Sequence, residues 1–188
     1  MESLLVTGAS GLLGRQMLLQ SREKYKCVGV DVSPTDIPCD FFQLDISDKE
    51  KTLDLIKEIS PSFVVHAAAL TNVDYCETHP EEAKAINVEG TRNIALGCVG
   101  AGAKMAYVST DFVFEGSKGR YAEDDKVDPQ GQYAKTKLLG ELAVKEVGVE
   151  YVIARTSVLY GWHPKNFNFV MWVIEKLEKE EEITIVTD

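Results

Sequence analysis

The tightest constraint on this chain lies at its start. An apolar run, Ser3-Leu4-Leu5-Val6-Thr7, passes directly into Gly8-Ala9-Ser10-Gly11-Leu12-Leu13-Gly14 and then into a segment of helical spacing. From Leu12 to Ser21 the apolar residues Leu13, Met17 and Leu18 recur as one helix face. Strand, glycine-rich turn and helix, in that order, form the opening unit of a parallel sheet. Glycine here permits a tight turn, close approach of backbone to a pyrophosphate, and close packing of helix on strand. The helix N-terminus adds free N–H groups and a partial positive charge. The spacing is GxxGxxG rather than the simpler GxGxxG. Gly8, Ser10, Gly11, Leu12, Leu13 and Gly14 are therefore candidate cofactor-binding residues, against the plainer alternative of turn chemistry alone.

The alternation continues along the chain. Cys27 to Val32 reads as a second strand and, after Pro34 and Pro38, Phe41-Phe42-Gln43-Leu44 as a third. Leu53, Ile56 and Ile59 mark a helix that stops at Pro61, and Phe63 to Ala67 is a continuous strand of the kind covered on both faces. Glu81 to Cys98 is helical, with Ala85, Val88 and Ile94 available to the core, and Ala106 to Thr110 is a strand. A polar stretch runs to Pro129. Then come a helix over Tyr133 to Val147, a strand over Tyr151 to Ala154, a helix over Phe169 to Glu180 and a last strand over Ile183 to Val186. The fold class this predicts is α/β, a Rossmann-like doubly wound parallel sheet with helices on both faces. Its ligands gather at the carboxyl ends of the strands. Residues 1–160 are expected to form the dinucleotide-binding domain, and 161–188 the start of a substrate-binding region whose cap is largely absent.

Composition removes several classes. With 20 Lys and Arg against 30 Asp and Glu the net charge is −10, the wrong sign for a protein that tracks nucleic-acid phosphates. No apolar run is long enough to span a membrane, and Met1-Glu2-Ser3 lacks the basic start of a signal peptide. Cys27, Cys39, Cys76 and Cys98 show no CxxC pairing and read as small buried hydrophobes of a reducing cytoplasm. His66, His79 and His163 have no ligand spacing, so no metal is expected and no chemistry is assigned to them.

Asp31 ends the second strand, where a carboxylate accepts hydrogen bonds from the adenosine ribose and repels a 2′-phosphate. That favours NAD over NADP, although Arg15 just past the last glycine could meet a phosphate. Asp45, with Ile46 beside it, could reach the adenine, or could cap a loop or helix. Farther on, Tyr133-Ala134-Lys135-Thr136-Lys137 puts a tyrosine and a lysine four apart on one helical face. A close ammonium favours phenolate, lowering a pKa near 10 and making the phenol a usable proton donor to a carbonyl. Seven tyrosines, with lysine at about one position in twelve, give about half a chance pair of this spacing. What adds weight is the strand ending Val108-Ser109-Thr110-Asp111 upstream, whose hydroxyl could hold the substrate carbonyl.

These segments together carry a resemblance. Thr7 to Gly14, His66-Ala67-Ala68-Ala69, Ser109-Thr110-Asp111-Phe112-Val113-Phe114-Glu115-Gly116, Tyr133 to Glu141, and Arg155-Thr156-Ser157-Val158-Leu159-Tyr160-Gly161 occur in order over nearly the whole chain. They resemble the extended short-chain dehydrogenase/reductase superfamily, and within it the dTDP-4-dehydrorhamnose reductase family. The resemblance implies Thr110, Tyr133 and Lys137 as the catalytic trio, with Lys137 also on the nicotinamide ribose. It implies Ala67, Ala68 and Ala69 along the cofactor, and Asn87, on the helix beneath the site, as a further cofactor-binding residue. Thr110, Asp111 and Phe112 would meet the substrate. The implied cofactor is NAD(H) or NADP(H), the implied substrate a nucleotide-linked 4-keto-6-deoxy sugar, and the implied macromolecular partner a second copy in a homodimer. Related sugar dehydratases carry Asp-Glu after this threonine; Phe112 replaces the base, which favours reduction without elimination.

Members of that family continue for roughly a hundred further residues, a length on the scale of the sugar-binding lobe. A chain without that lobe is expected to bind cofactor and turn over little or nothing. Phe167, Phe169 and Trp172 are candidates for apolar surface facing the lobe, or for the inner face of a helix on the sheet. Two other readings stand beside the reductase: another sugar-nucleotide epimerase or reductase, and a non-catalytic binding module similar to the regulatory β subunit of methionine adenosyltransferase.

Overall fold

The computed structural model describes residues 1–164 and 168–185. Its centre is a six-stranded, all-parallel sheet in the order β3-β2-β1-β4-β5-β6. The strands are β1 (Ser3–Thr7), β2 (Lys26–Asp31), β3 (Asp40–Gln43), β4 (Phe63–His66), β5 (Lys104–Thr110) and β6 (Tyr151–Thr156). The helices between them are α1 (Leu12–Ser21), α2 (Lys49–Ile59), α3 (Val73–Thr78), α4 (Pro80–Lys84), α5 (Thr91–Ala101), α6 (Gln132–Val147) and α7 (Phe169–Glu178). A π-helical turn over Ala85–Gly90 joins α4 to α5, so the predicted helix at Glu81 to Cys98 forms with a widened turn inside it. The short helix α3 lies in a stretch where the sequence pattern predicted nothing. The predicted last strand does not form over Ile183 to Ile185; Val186 lies outside the described residues, as does Phe167.

Strand alternation sends side chains to two cores. Leu5, Val28, Val30, Val64, Met105 and Tyr107 meet Ile56 of α2, Ile94 of α5 and Val144 of α6 on one face. Leu4 and Val6 meet Leu18 of α1 and Ile37 on the other. Phe63 to His66 is thus packed on both faces, which is why it reads as a continuous apolar run. The strand order reverses across β1 and β4, and at this switch point the carboxyl ends of both strands open into a common cleft.

Two glycines make that geometry possible. Gly8 has φ +71°, and a Cβ there would lie 2.7 Å from the Ala68 nitrogen. A Cβ on Gly14 would lie 2.0 Å from the Gly8 carbonyl oxygen and 2.7 Å from its carbon. In an ordinary helix interior, alanine stabilises relative to glycine by about 1 kcal/mol. Here the obstacle is backbone, which no rotamer change relieves. Gly14→Ala is therefore expected to destabilise by about 2 kcal/mol or more, measured by urea unfolding; a more stable variant would show that α1 is not seated on β1 in this way.

Candidate active site

The cleft at the switch point has a volume of about 1250 Å³. Its floor at one end is the glycine loop, with Gly8, Ser10, Gly11, Leu12, Leu13 and Gly14 all lining it. α1 has no side-chain N-cap and no acid in its first turn, so its terminal amides are left for an anion. Those open amides, together with glycines that leave no Cβ in the way, fit the phosphates of a dinucleotide. Asp31 lines the same end: one carboxylate oxygen accepts the Ser10 N–H at 3.0 Å and the other the Ser33 N–H at 2.9 Å. Each oxygen keeps a lone pair for a ribose hydroxyl. Asp45 and Ile46 also line the cleft. Asp45 accepts the Ser47 N–H at 2.9 Å in a turn, and the N-cap of α2 is Asp48 instead. Arg15 does not line the cleft; its guanidinium grips Asp36 through two bonds of 2.9 Å.

Ala67, Ala68 and Ala69 line the middle of the cleft. A buried hydrogen-bond chain fixes them. The Ala68 N–H donates to Thr7 Oγ1, which contacts His66 Nδ1 at 2.6 Å. His66 Nε2 contacts Thr91 Oγ1 at 3.0 Å, and Thr91 donates to the Asn87 carbonyl at 2.8 Å. Because the Thr91 proton goes to Asn87, the donors assign the neutral Nε2–H tautomer to His66. Burial pushes the His66 pKa down to about 3, helped by the positive charge of Lys137. Asn87 closes the chain: its amide accepts the Leu70 N–H at 2.8 Å and donates at 3.1 Å to both the Leu70 carbonyl and Thr136 Oγ1. Thr136 in turn donates to the Tyr133 carbonyl at 2.9 Å. Asn87 is fully buried and does not line the cleft; it joins the strand end to the helix bearing Tyr133.

Thr110, Asp111, Phe112, Tyr133 and Lys137 line the other end. Phe112 meets the Tyr133 ring edge-on at 6.2 Å, and Thr110 Oγ1 accepts the Phe112 N–H at 3.2 Å. Glu77 of α3 accepts the Gln132 N–H and so caps α6 at the turn that presents Tyr133. One helical turn below Lys137, the fully buried Glu141 takes Ser109 Oγ at 2.6 Å and Arg155 at 2.9 and 2.7 Å. This ion pair ties α6 to β5 and β6 beside Thr110.

The expected tuning of Tyr133 by Lys137 is not what the structure shows. Burial raises the Tyr133 pKa, hydrogen bonding with Thr110 opposes this in part, and Cys76 and Asp111 add to the rise. Lys137 instead donates to the Val108 carbonyl at 2.7 Å and lies over the Tyr107 ring at 4.3 Å. Burial brings its pKa down to about 7, with Glu141 pulling the other way. Spacing puts two residues on one helix face but does not say which acceptor an ammonium finds there.

Near the C-terminus, α7 has no buried residue and Phe169 is exposed, so the inner-face reading of that helix does not hold. His163, given no role from sequence, is buried with Nε2 3.0 Å from the Ser10 carbonyl. All four cysteines are free thiols; Cys76 and Cys98 are buried, while Cys27 and Cys39 are half-buried. Among the described residues no helix is long and apolar enough to cross a membrane, and no group of three or more His, Cys, Asp or Glu could hold a metal.

Comparison with known proteins agrees with this geometry. A family model described as the RmlD substrate binding domain matches residues 1–188. A dTDP-4-dehydrorhamnose reductase of Streptomyces griseus is 41% identical over 189 residues, covering 98% of this chain and 58% of that protein. Methionine adenosyltransferase 2 subunit beta of Bos taurus is 34% identical over 186 residues, covering 98% and 52%. The crystal structure of dTDP-4-dehydrorhamnose reductase from Bacillus anthracis in complex with NADP superimposes with a TM-score of 0.88 at 35% identity, covering 97% and 62%. The chain therefore spans between half and two thirds of the length of these relatives.

The Lys137 environment predicts a pH dependence. Between about pH 7 and the unfolded value of 10.5, the unfolded chain holds a proton that the folded one has released. Stability therefore rises with pH across that window, and the penalty for burying the ammonium is largest below about pH 7. The difference in unfolding free energy between the protein and Lys137→Met is expected to change by a few kcal/mol from pH 6.5 to pH 10. A difference that stays flat with pH would place the Lys137 ammonium in water.

Proposed function

The chain belongs to the RmlD substrate binding domain family, and on that premise we propose that it is the cofactor-binding part of an NAD(P)H-dependent reductase of a nucleotide-linked 4-keto-6-deoxy sugar, of the dTDP-4-dehydrorhamnose type used in dTDP-rhamnose synthesis. The observation that carries this reading is the single cleft shared by the glycine loop at one end and Thr110, Tyr133 and Lys137 at the other. Bound in it, a reduced nicotinamide would supply hydride to a carbonyl carbon. The α1 amides and Asp31 would hold the pyrophosphate and adenosine ribose, and Ala67, Ala68 and Ala69 leave room for the dinucleotide against the strand ends. Thr110 would hold the carbonyl oxygen, and the Tyr133 phenol would give it a proton as negative charge develops there. Lys137 would leave the Val108 carbonyl for the nicotinamide ribose. A high phenol pKa in the empty cleft suits a donor that keeps its proton until that charge appears. We take residues 1–160 as this cofactor domain and 161–188 as the beginning of the substrate-binding region. The setting we assign is the cytoplasm, which four free thiols suit.

A diphosphate sugar needs more than this chain offers. The acids Asp31, Asp36, Asp45, Glu82 and Asp111 line the cleft, whereas Lys137 is its one lining residue from the Lys and Arg set among those described. A second, non-catalytic reading is supported by the similarity to the methionine adenosyltransferase subunit, in which the same cleft would bind a dinucleotide without turnover.

Two outcomes separate the readings. NADH is expected to bind this chain in a fluorescence titration, and more tightly than NADPH, because Asp31 faces the 2′ position; absence of binding by folded protein would remove the cofactor role. In a protein of the relatives' full length, Tyr133→Phe is expected to leave NADH affinity nearly unchanged and to cut turnover of a dTDP-4-keto sugar by at least a hundredfold. Wild-type protein of that length that binds NADH but reduces no such sugar, and copurifies with an adenosyltransferase, would favour the second reading.

A further inference from the structure

The nucleotide end of the cleft holds a charge pair that the reading above leaves unused. The loop from Asp31 to Asp36 lines the cleft continuously beside the ribose-binding carboxylate of Asp31. At its end, Asp36 accepts Arg15 Nε on one oxygen and Arg15 Nη2 on the other, both at 2.9 Å. The two partners differ in freedom. The Arg15 side chain is 11% exposed and the Asp36 side chain 48% exposed. Arg15 is held from behind by the Trp162 ring, whose centroid lies 5.4 Å from the guanidinium carbon. Arg15 is thus the more buried partner, and the Asp36 carboxylate that covers it has water to turn into.

We propose that Arg15 and Asp36 decide which dinucleotide the cleft accepts, with Asp36 capping Arg15 until a ribose 2′-phosphate displaces it. This inference rests on the dinucleotide reading of the cleft. Asp31 disfavours a 2′-phosphate with only part of its charge, because each of its oxygens already accepts a backbone amide, which leaves a share of the discrimination to its neighbours. A 2′-phosphate entering beside Asp31 and Asp36 also needs a cation, and Arg15, bonded to Asp36 and with His163 also lining that end, supplies a permanent one. A guanidinium fork suits phosphate oxygens as well as it suits a carboxylate. NADH leaves the pair intact. NADPH exchanges one anion for another on the same guanidinium, at the cost of releasing Asp36 to solvent.

The test is the ratio of NADPH to NADH affinity, read by fluorescence titration on this chain, with thermal unfolding as the check on folding. Asp36→Asn removes the competing charge while keeping the shape, and is expected to raise the ratio about tenfold. Arg15→Gln is expected to lower it by about the same factor. Asp36→Ser, which also removes the carboxylate, replaces the asparagine variant if that one does not fold, and the same rise is expected. Both nucleotides binding with a ratio that neither variant moves would overturn the proposal and leave the dinucleotide reading intact. Wild-type protein that binds neither nucleotide would overturn both.

Discussion

The buried hydrogen-bond chain from Thr7 through His66, Thr91 and Asn87 to Thr136 is the constraint on which the rest of the site depends. Every side chain in it is at most 3% exposed, so water cannot substitute for a missing partner. Each link also has a direction. Ala68 donates to Thr7 and Thr91 donates to Asn87, which leaves a single proton arrangement for the imidazole between them. A partly satisfied network at this depth costs more than an apolar one, whereas a complete one selects a single geometry. That geometry sets two things at once: the alanines along the cleft and the helix that carries Tyr133 and Lys137. The nucleotide end and the reactive end are thus one rigid unit across the switch point.

Charge in the cleft follows from the same packing. Lys137 lies under three layers of constraint: the Val108 carbonyl it donates to, the Tyr107 ring beneath it, and Glu141 one turn below. Glu141 is itself fully buried, and burial alone would push its pKa up. The bonds from Arg155 and Ser109 outweigh that and hold it ionised. A buried ion pair of this kind adds little net stability against an apolar replacement, but losing one partner is costly. Its effect here is geometric, since Arg155 also donates to the Glu123 carbonyl and lies over Phe114. The strand end bearing Thr110, the helix bearing Tyr133 and the loop beyond Phe112 are pinned by a single carboxylate.

What the sequence made legible was local. The glycine loop, the six strands with most of the helices between them, and the Tyr133–Lys137 face all follow from periodicities a few residues long and appear in the structure, whereas the strand expected over Ile183 to Ile185 does not. The missed features join residues far apart in the chain. Thr7 and His66 are separated by 59 positions, Asn87 and Thr136 by 49, and Arg15 and Asp36 by 21. No spacing rule connects them, because the sheet and not the chain brings them together. The same reason explains Asn87, which resemblance put in the cofactor site and the structure puts one layer behind it. It explains Lys137 too, since the Val108 carbonyl that accepts its hydrogen bond lies on β5, 29 positions away.

The two ends of the sheet differ in how completely they are packed. On the β1–β2 side, α1 seals Leu4, Val6 and Leu18 against Ile37, and the glycine loop is held by Asp31, Thr35 and His163. On the β6 side, Val152 and Ala154 stand exposed on the edge strand, and in the C-terminal segment α7 has no buried residue, with Phe169, Ile174 and Leu177 exposed. The contacts that hold the glycine loop lie within residues 1–164, whereas the proposed reading draws on the relatives' longer chains to orient a sugar carbonyl over Thr110 and Tyr133. A positioning error of about 1 Å at that carbonyl can cost a hundredfold in rate, while a dinucleotide, on the proposed reading, would lie against the glycine loop and the alanines, which are already in place. On the proposed reading, cofactor binding and turnover are therefore separable, and the first would draw only on contacts already packed within residues 1–164.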